Sequence, residues 1–353
     1  MVHNGPDPVD SDDARLSIRR RAFSFPTLVS LALAAAFLIF LLTRFNLDIR
    51  ATWSHIQGGN PWLIAAAFLI HYTTFPFRGA RWRQLLSNVQ HQANGPVAPI
   101  PSVGYCSQLV LLGWFANSVG WFRLGDIYRA HLYRLERHGS FSRTMGTLLA
   151  ERIMDMVLVV ALLLAAAPFL VSSGNSTWVV VVTGAILAGL LIMLFLALLG
   201  GQPLVARFLP QWLTSRYYRF RDGTLGSFQR VPLLTILGIL GWLAEVLRLY
   251  LVGFALGMDL GLATATFVAL ASSLLTLTPS PGGVGAVEPG VVGLVVRLTS
   301  FSIDAAAALT VVDRFISYLS IILTGALLFL VRQVVHPARL EPTGAGTVDR
   351  GQT

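Results

Sequence analysis

Long apolar runs alternate with short, polar, arginine-rich segments along nearly the whole chain. The runs at 26–43, 61–77, 146–171, 178–199, 232–257 and 305–331 each reach the length that a helix needs to cross a hydrocarbon core. Two further apolar regions, 105–122 and 262–298, are interrupted by glycine, proline and polar residues. A backbone broken at membrane depth survives only where protein or trapped water satisfies its free N–H and C=O groups. The pattern therefore predicts an all-α polytopic membrane protein with about six transmembrane helices and two re-entrant helical hairpins. The basic start precedes an apolar run but no small-residue cleavage site, so 26–43 reads as a retained first span.

Arginine placement sets the expected topology. With the N-terminus inside and both interrupted regions returning to their starting side, most loop arginines fall on one face. Arg15, Arg19, Arg20, Arg21, Arg78, Arg81, Arg83, Arg129, Arg134, Arg137, Arg143, Arg207, Arg216, Arg219, Arg221, Arg230, Arg332, Arg339 and Arg350 lie inside, whereas Arg44, Arg50 and Arg297 lie outside. Turning one hairpin into a crossing would flip every later loop and spoil this partition. Both termini are expected to be cytoplasmic, in a multi-pass protein of the plasma (cell inner) membrane. The tails 1–25 and 336–353 read as disordered and flank a single membrane domain, 26–335.

The chain also repeats itself. Glu151-Arg152 lies in one span and Asp313-Arg314 in another, and the same offset carries Asp126 onto Glu288, Gly120 onto Gly282 and Ser118 onto Ser280. Each copy has a crossing, a broken glycine-containing element with an acid, and a span with an acid–arginine pair. Two full crossings separate the acid–arginine spans, so the copies, about 61–171 and 232–331, are expected to form an inverted repeat, as in transporters with midplane sites.

Composition narrows the chemistry. Only 12% of residues are charged and 54% are hydrophobic. The formal charge of +9 would suggest nucleic acid in a soluble protein. Here the positive-inside bias accounts for it, and no nucleic-acid partner is expected. Cys106 is the single cysteine, which excludes an intramolecular disulfide and any CxxC motif. The seven histidines have no ligand spacing such as HExxH, so neither a metal nor another cofactor is expected. PFRGARWRQLL, after the second span, reads most simply as basic interfacial anchoring with Trp82.

Glu151, Arg152, Asp155, Glu245, Arg248, Asp313 and Arg314 sit within apolar spans, where a central charge costs roughly 2.5–3.5 kcal/mol on insertion scales. Such groups either fasten helices as ion pairs or face a polar cavity; for the whole set the cavity is the better account. Arg152 and Asp155 are three apart, as are Glu245 and Arg248, so each pair can meet on one helix face. Glu151 would repel Asp155 on that face, which leaves it an arginine on another helix or a bound proton. Asp313 and Arg314 point about 100° apart and must find partners elsewhere.

The two breaks carry the remaining candidates. Asn117 and Gly120 interrupt the first, and Arg123, Gly125, Asp126 and Arg129 follow. Exposed helix N-termini attract anions, and the two arginines would receive a phosphate or lipid headgroup. In the second, TPSPGGVGAVEPG, Pro281 ends a half-helix and Gly282, Gly283 and Gly285 let the chain turn. Glu288 then opens the next half beside a favourable helix N-terminus.

Taken in order, PFRGARWRQLL, NSVGWFRLGDIYRA, LLAERIMDMVLVV, TPSPGGVGAVEPG and VVDRFISYLSIILTG resemble the flippase-like transmembrane region of the lysylphosphatidylglycerol synthase family. The likeness runs from about Pro26 to Val335. It implies a membrane region associated with moving lipids between leaflets, fused in some members to a domain that aminoacylates phosphatidylglycerol. Some related stand-alone members are linked to polyprenyl-glycan or other lipid pathways. Asn117, Arg123, Gly125, Asp126 and Arg129 match the first motif, Glu151, Arg152 and Asp155 the second, and Pro281, Gly282, Gly283, Gly285, Glu288 and Arg314 the later ones. Trp121 stands where the family usually has a proline shortly before the equivalent of Arg123. About twenty polar residues follow Val331, so the expectation is a stand-alone member without the synthase domain.

The resulting functional expectation is a lipid flippase or transporter-like protein that moves a phospholipid or other lipid-linked anionic amphiphile between leaflets. Its partners would be membrane lipids. The alternative is a membrane partner of a separate lipid-modifying enzyme, or itself a glycosyl- or aminoacyl-lipid transferase. No catalytic residue is assigned, because the chain shows no nucleophilic or metal-holding constellation.

Overall fold

The computed structural model describes residues 49–91, 99–121, 124–171 and 211–335, with the isolated positions 185 and 189. The expected spans 26–43 and 178–199, both tails and Arg123 lie outside the described residues. Everything described as regular structure is helical. In chain order the helices are α1 (Ile49–Gln57), α2 (Pro61–His91), α3 (Val103–Val119), α4 (Gly125–Arg137), α5 (Phe141–Val171), α6 (Gln211–Leu225), α7 (Val231–Ala255), α8 (Leu262–Leu275), α9 (Val287–Leu298), α10 (Ile303–Arg314) and α11 (Ser320–Val335). A 3-10 turn, Pro281–Gly283, precedes α9, and a π turn, Phe315–Leu319, joins α10 to α11.

The second interrupted region, 262–298, divides into α8 and α9. The first, 105–122, is α3 as far as Val119, helical through Asn117, and the chain breaks at Gly120, before α4 begins beyond that region. The helix α7, with proline in its first turn, and the continuous stretch Ile303–Arg332 are long and apolar enough to cross a membrane. By contrast α2 and α5, of 31 residues each, carry charges deep within their length. At 1.5 Å per residue each is about 46 Å long, well beyond a hydrocarbon core of roughly 30 Å.

Three apolar clusters hold the described helices together, the smallest joining Phe75, Val110 and Ile321. One joins Leu158 and Leu163 of α5 to α7, α8, α9 and α10 through Trp242, Phe267, Val291 and Leu309. Another joins Trp82 and Leu85 of α2 to α3, α4 and α5 through Leu109, Leu112, Tyr133 and Leu148. The broadest helix contact is between α2 and α7. The helix α6, within a segment expected to be an arginine-rich loop, packs along α5. There Gly146 lets the backbones approach, since a Cβ would lie 2.1 Å from the Phe220 carbonyl oxygen.

Close approach also decides the α2–α3 contact. A Cβ on Gly79 would stand 2.2 Å from Ser107 Oγ and 2.7 Å from its backbone nitrogen. Gly79→Leu is therefore expected to force α2 and α3 apart at a cost of about 1–3 kcal/mol. Gly104→Leu, where a Cβ meets nothing within 4 Å, should leave the unfolding temperature in detergent nearly unchanged.

Candidate functional site

The first break sets up one acid–arginine pair. The N–H of Gly120 donates to the Ala116 carbonyl and ends α3 with an extended backbone, φ −102°, so Gly120 does not use left-handed freedom. After the turn, Gly125 N–H donates to Asn117 Oδ1 at 2.8 Å and starts α4. Asp126 occupies the first turn of α4. Arg152, on α5, donates Nε to Asp126 Oδ2 and Nη2 to Oδ1, both at 3.0 Å. This two-pronged geometry is the strong form of a guanidinium–carboxylate bond.

The second break repeats the arrangement. Gly282, Gly283 and Gly285 all have positive φ, at 57°, 71° and 98°, a region that side chains with a Cβ enter at a cost. Glu288, in the first turn of α9, accepts from Gly285 N–H at 2.8 Å through Oε2. Its Oε1 accepts from Arg314 Nε at 2.7 Å. Arg314 also donates Nη2 to the Gly282 carbonyl at 3.0 Å and stacks over the Tyr318 ring at 4.6 Å. In each half the arginine lies 26 residues after its acid.

Asp155 is the hub of the buried charges. It accepts from Arg81 Nη2 at 2.7 Å, Arg78 Nη1 at 3.4 Å, Arg152 Nη1 at 3.4 Å and Trp242 Nε1 at 3.3 Å. Those donors come from α2, α5 and α7. Glu151 found its arginine on another helix: Arg129 of α4 donates to it at 3.2 Å through Nη2 and lies 4.4 Å over Trp82. Asp313 likewise found its partner elsewhere, accepting from Arg248 Nε at 2.9 Å, while Arg248 Nη1 also donates to Glu245. His71 stands beside Glu245 and Arg248.

These helices surround a cavity of about 210 Å³. Among the expected site residues, Asn117, Arg152, Asp155, Glu245, Arg248, Gly282, Asp313 and Arg314 line it. Asp126, Arg129, Glu151 and Glu288 lie outside the lining, each bonded to an arginine or acid of the network. Gly120, Gly125, Pro281, Gly283 and Gly285 shape the breaks without lining the cavity. Ser272, Ser273 and Thr276 add hydroxyls on the α8 side, and Trp114 and Trp242 add aromatic walls. Arginine forks match phosphate oxygens, whereas Ser272, Ser273 and Thr276 each donate their hydroxyl to a backbone carbonyl of the same helical stretch. Among the described residues no group of histidine, cysteine and acids is arranged to hold a metal.

One expectation is corrected. Arg78 and Arg81 are not interfacial anchors: they are buried, 5% and 1% exposed, and Trp82 beside them is fully buried. Helix α2 runs on past the apolar stretch and carries both arginines into the carboxylates of α5. The spans themselves held a clue, since Glu151, Asp155, Glu245 and Asp313 outnumber Arg152, Arg248 and Arg314. A further buried cation was required. Arg78 is also held between Trp114 and Trp242, 5.3 and 5.1 Å from their ring centroids.

The family described as "Lysylphosphatidylglycerol synthase TM region" matches residues 27–325. A UPF0104 membrane protein of Methanocaldococcus jannaschii is 31% identical over 62% of this chain and 94% of its own length. A UPF0104 membrane protein of Methanothermobacter thermautotrophicus is 27% identical over 75% of this chain and 82% of its own. The protein named Glycosyltransferase AglD, of Haloferax volcanii, is 25% identical over 85% of this chain but only 53% of its own length. No solved structure matches.

Proposed function

The chain belongs to the lysylphosphatidylglycerol synthase transmembrane-region family, and on that premise we propose that this membrane protein moves a phospholipid or other lipid-linked anionic amphiphile between leaflets. The headgroup crosses through the cavity while the tails stay in the bilayer. The observation that carries this reading is the cavity wall, where Arg78, Arg152, Arg248 and Arg314 face one space within a helical membrane protein. Each of the four is already bonded to a carboxylate. A headgroup phosphate therefore exchanges with an internal acid rather than meeting a bare charge, which keeps the empty cavity stable.

In this reading the domain spans 26–335 and its halves form an inverted repeat around two re-entrant breaks. The matched pairs Asp126–Arg152 and Glu288–Arg314 support it: each fastens a broken element to the helix that follows. Opening one pair while the other stays closed would expose the cavity to one leaflet at a time. Both termini face the cytoplasm of the cell membrane.

Proteoliposomes carrying headgroup-labelled phospholipid test the proposal. Inner-leaflet label should become accessible to an outside quencher faster than in protein-free liposomes. Equal rates across anionic and zwitterionic headgroups, with and without protein, would count against it. The likeness to a protein named a glycosyltransferase favours one second reading, a membrane partner of a lipid-modifying transferase. Co-purification with such an enzyme, without lipid movement, would support that alternative.

A further inference from the structure

We infer that the headgroup taken by this cavity carries a hydrogen-bond-donating pole beside its phosphate, an ammonium or a hydroxyl, and that Ser272 and Ser273 receive it; this rests on the headgroup reading above. Both serines lie in the last turn of α8 and line the cavity. A hydroxyl offers one proton and two lone pairs. Ser272 gives its proton to the Ala269 carbonyl at 2.9 Å, and Ser273 gives its own to the Leu270 carbonyl at 2.7 Å. Both bonds stay within α8, the back-bonding usual for serine inside a helix. With the protons spent, each oxygen still offers lone pairs, and among the described residues neither accepts a bond. Tyr318 lines the cavity with a third such oxygen, since its hydroxyl donates to the Ser118 carbonyl at 3.1 Å.

The backbone points the same way. Helix α8 ends against the cavity, so the negative end of its dipole lies beside the two serines. Its last turn holds no basic residue to answer that end. A phosphate is therefore disfavoured there and belongs with Arg78, Arg152, Arg248 and Arg314, which only donate. The lining acids Asp155, Glu245 and Asp313 are already engaged, each by an arginine. Ser317, also in the lining, can donate or accept.

The two kinds of wall define a ligand with two kinds of group. A phosphate alone, or one beside a trimethylated nitrogen, leaves the serine oxygens unanswered. An ethanolamine ammonium or a glycerol hydroxyl bonds to them. Ethanolamine and choline lipids carry the same charges and differ only at that nitrogen, in N–H donors and in bulk. Removing the serine oxygens separates those two differences.

The test titrates full-length protein in detergent with dihexanoyl phosphatidylethanolamine, phosphatidylcholine and phosphatidylglycerol. Binding is read from tryptophan fluorescence, because Trp114 and Trp242 line the cavity. The ethanolamine lipid should bind about tenfold tighter than the choline lipid, the scale of one or two net hydrogen bonds. Ser272→Ala with Ser273→Ala, a change that helices accept readily, should bring the ratio near one by weakening the ethanolamine lipid alone. Ser272→Thr with Ser273→Thr keeps both oxygens and should keep the preference. A phosphatidylglycerol affinity that falls in the alanine pair gives a hydroxyl the same role; one that holds confines the role to the ammonium. Equal affinity for the ethanolamine and choline lipids overturns the donor pole and leaves the headgroup reading standing. A preference that survives the alanine pair assigns the discrimination to bulk and overturns the role of the serines. No binding of any of the three lipids overturns the headgroup reading, and the donor pole with it.

Discussion

Asp155→Asn is expected to destabilise the folded protein by about 3–5 kcal/mol, the range found when one partner of a buried ion pair is removed. Asparagine keeps the shape but loses the charge that holds Arg78, Arg81 and Arg152 together. Three guanidiniums from two helices would then face one another around a neutral amide. The loss should appear as a fall in unfolding temperature and in the monodisperse fraction after detergent extraction. Adding Arg81→Met, which removes the guanidinium closest to Asp155, should restore part of the loss. A double mutant no better than the sum of its parts would show that the two groups do not act as a unit.

The second large effect is on transport. Among the described residues Arg314 Nη1 has no hydrogen-bond partner, while Nε and Nη2 are held by Glu288 and the Gly282 carbonyl. Arg314 is thus a cavity arginine with a donor left for a headgroup, as is Arg78, whose Nε is buried without a partner among the described residues. Arg314→Gln is expected to lower the rate of lipid movement about ten- to hundredfold, the equivalent of one charged hydrogen bond. Arg314→Lys should fall between, because an ammonium keeps the charge but not the fork. The unfolding temperature should move less than in Asp155→Asn, since the Arg314 and Glu288 side chains are part-exposed, at 13% and 18%.

Much of this arrangement was legible in the chain because the membrane makes exceptions costly. Helix breakers inside apolar runs located both breaks, and acids inside spans located Glu151, Asp155, Glu245 and Asp313. The offset that carries Asp126 onto Glu288 also carries Arg152 onto Arg314, and the structure joins each acid to its arginine. Local spacing correctly paired Arg152 with Asp155 and Glu245 with Arg248.

What escaped was the part that depends on distant partners. Arg78 and Arg81 follow an apolar run, where a basic cluster ordinarily marks the water interface. Only the packing of α5 and α7 against α2 reveals them as buried counter-ions. His71 was invisible for the same reason: a histidine in an apolar run carries no signal until Glu245 and Arg248, more than 170 residues later, stand beside it. Whether a buried acid lines the cavity or backs it was equally beyond periodicity. Glu151 and Asp155 share a helix face, yet Asp155 meets the cavity while Glu151 is enclosed by Arg129 and Arg81.

The central claim is that charged side chains enclose a wet, headgroup-sized chamber inside the bilayer. Cysteine labelling measures this directly, because Cys106 is the single cysteine and is buried. In a Cys106→Ser background, Ser273→Cys places a thiol on the cavity wall. A membrane-impermeant methanethiosulfonate should modify it in proteoliposomes, and dihexanoyl phosphatidylglycerol should slow the reaction. A thiol reached only by a lipid-soluble maleimide, at a rate indifferent to the phospholipid, would mean that no aqueous headgroup chamber exists.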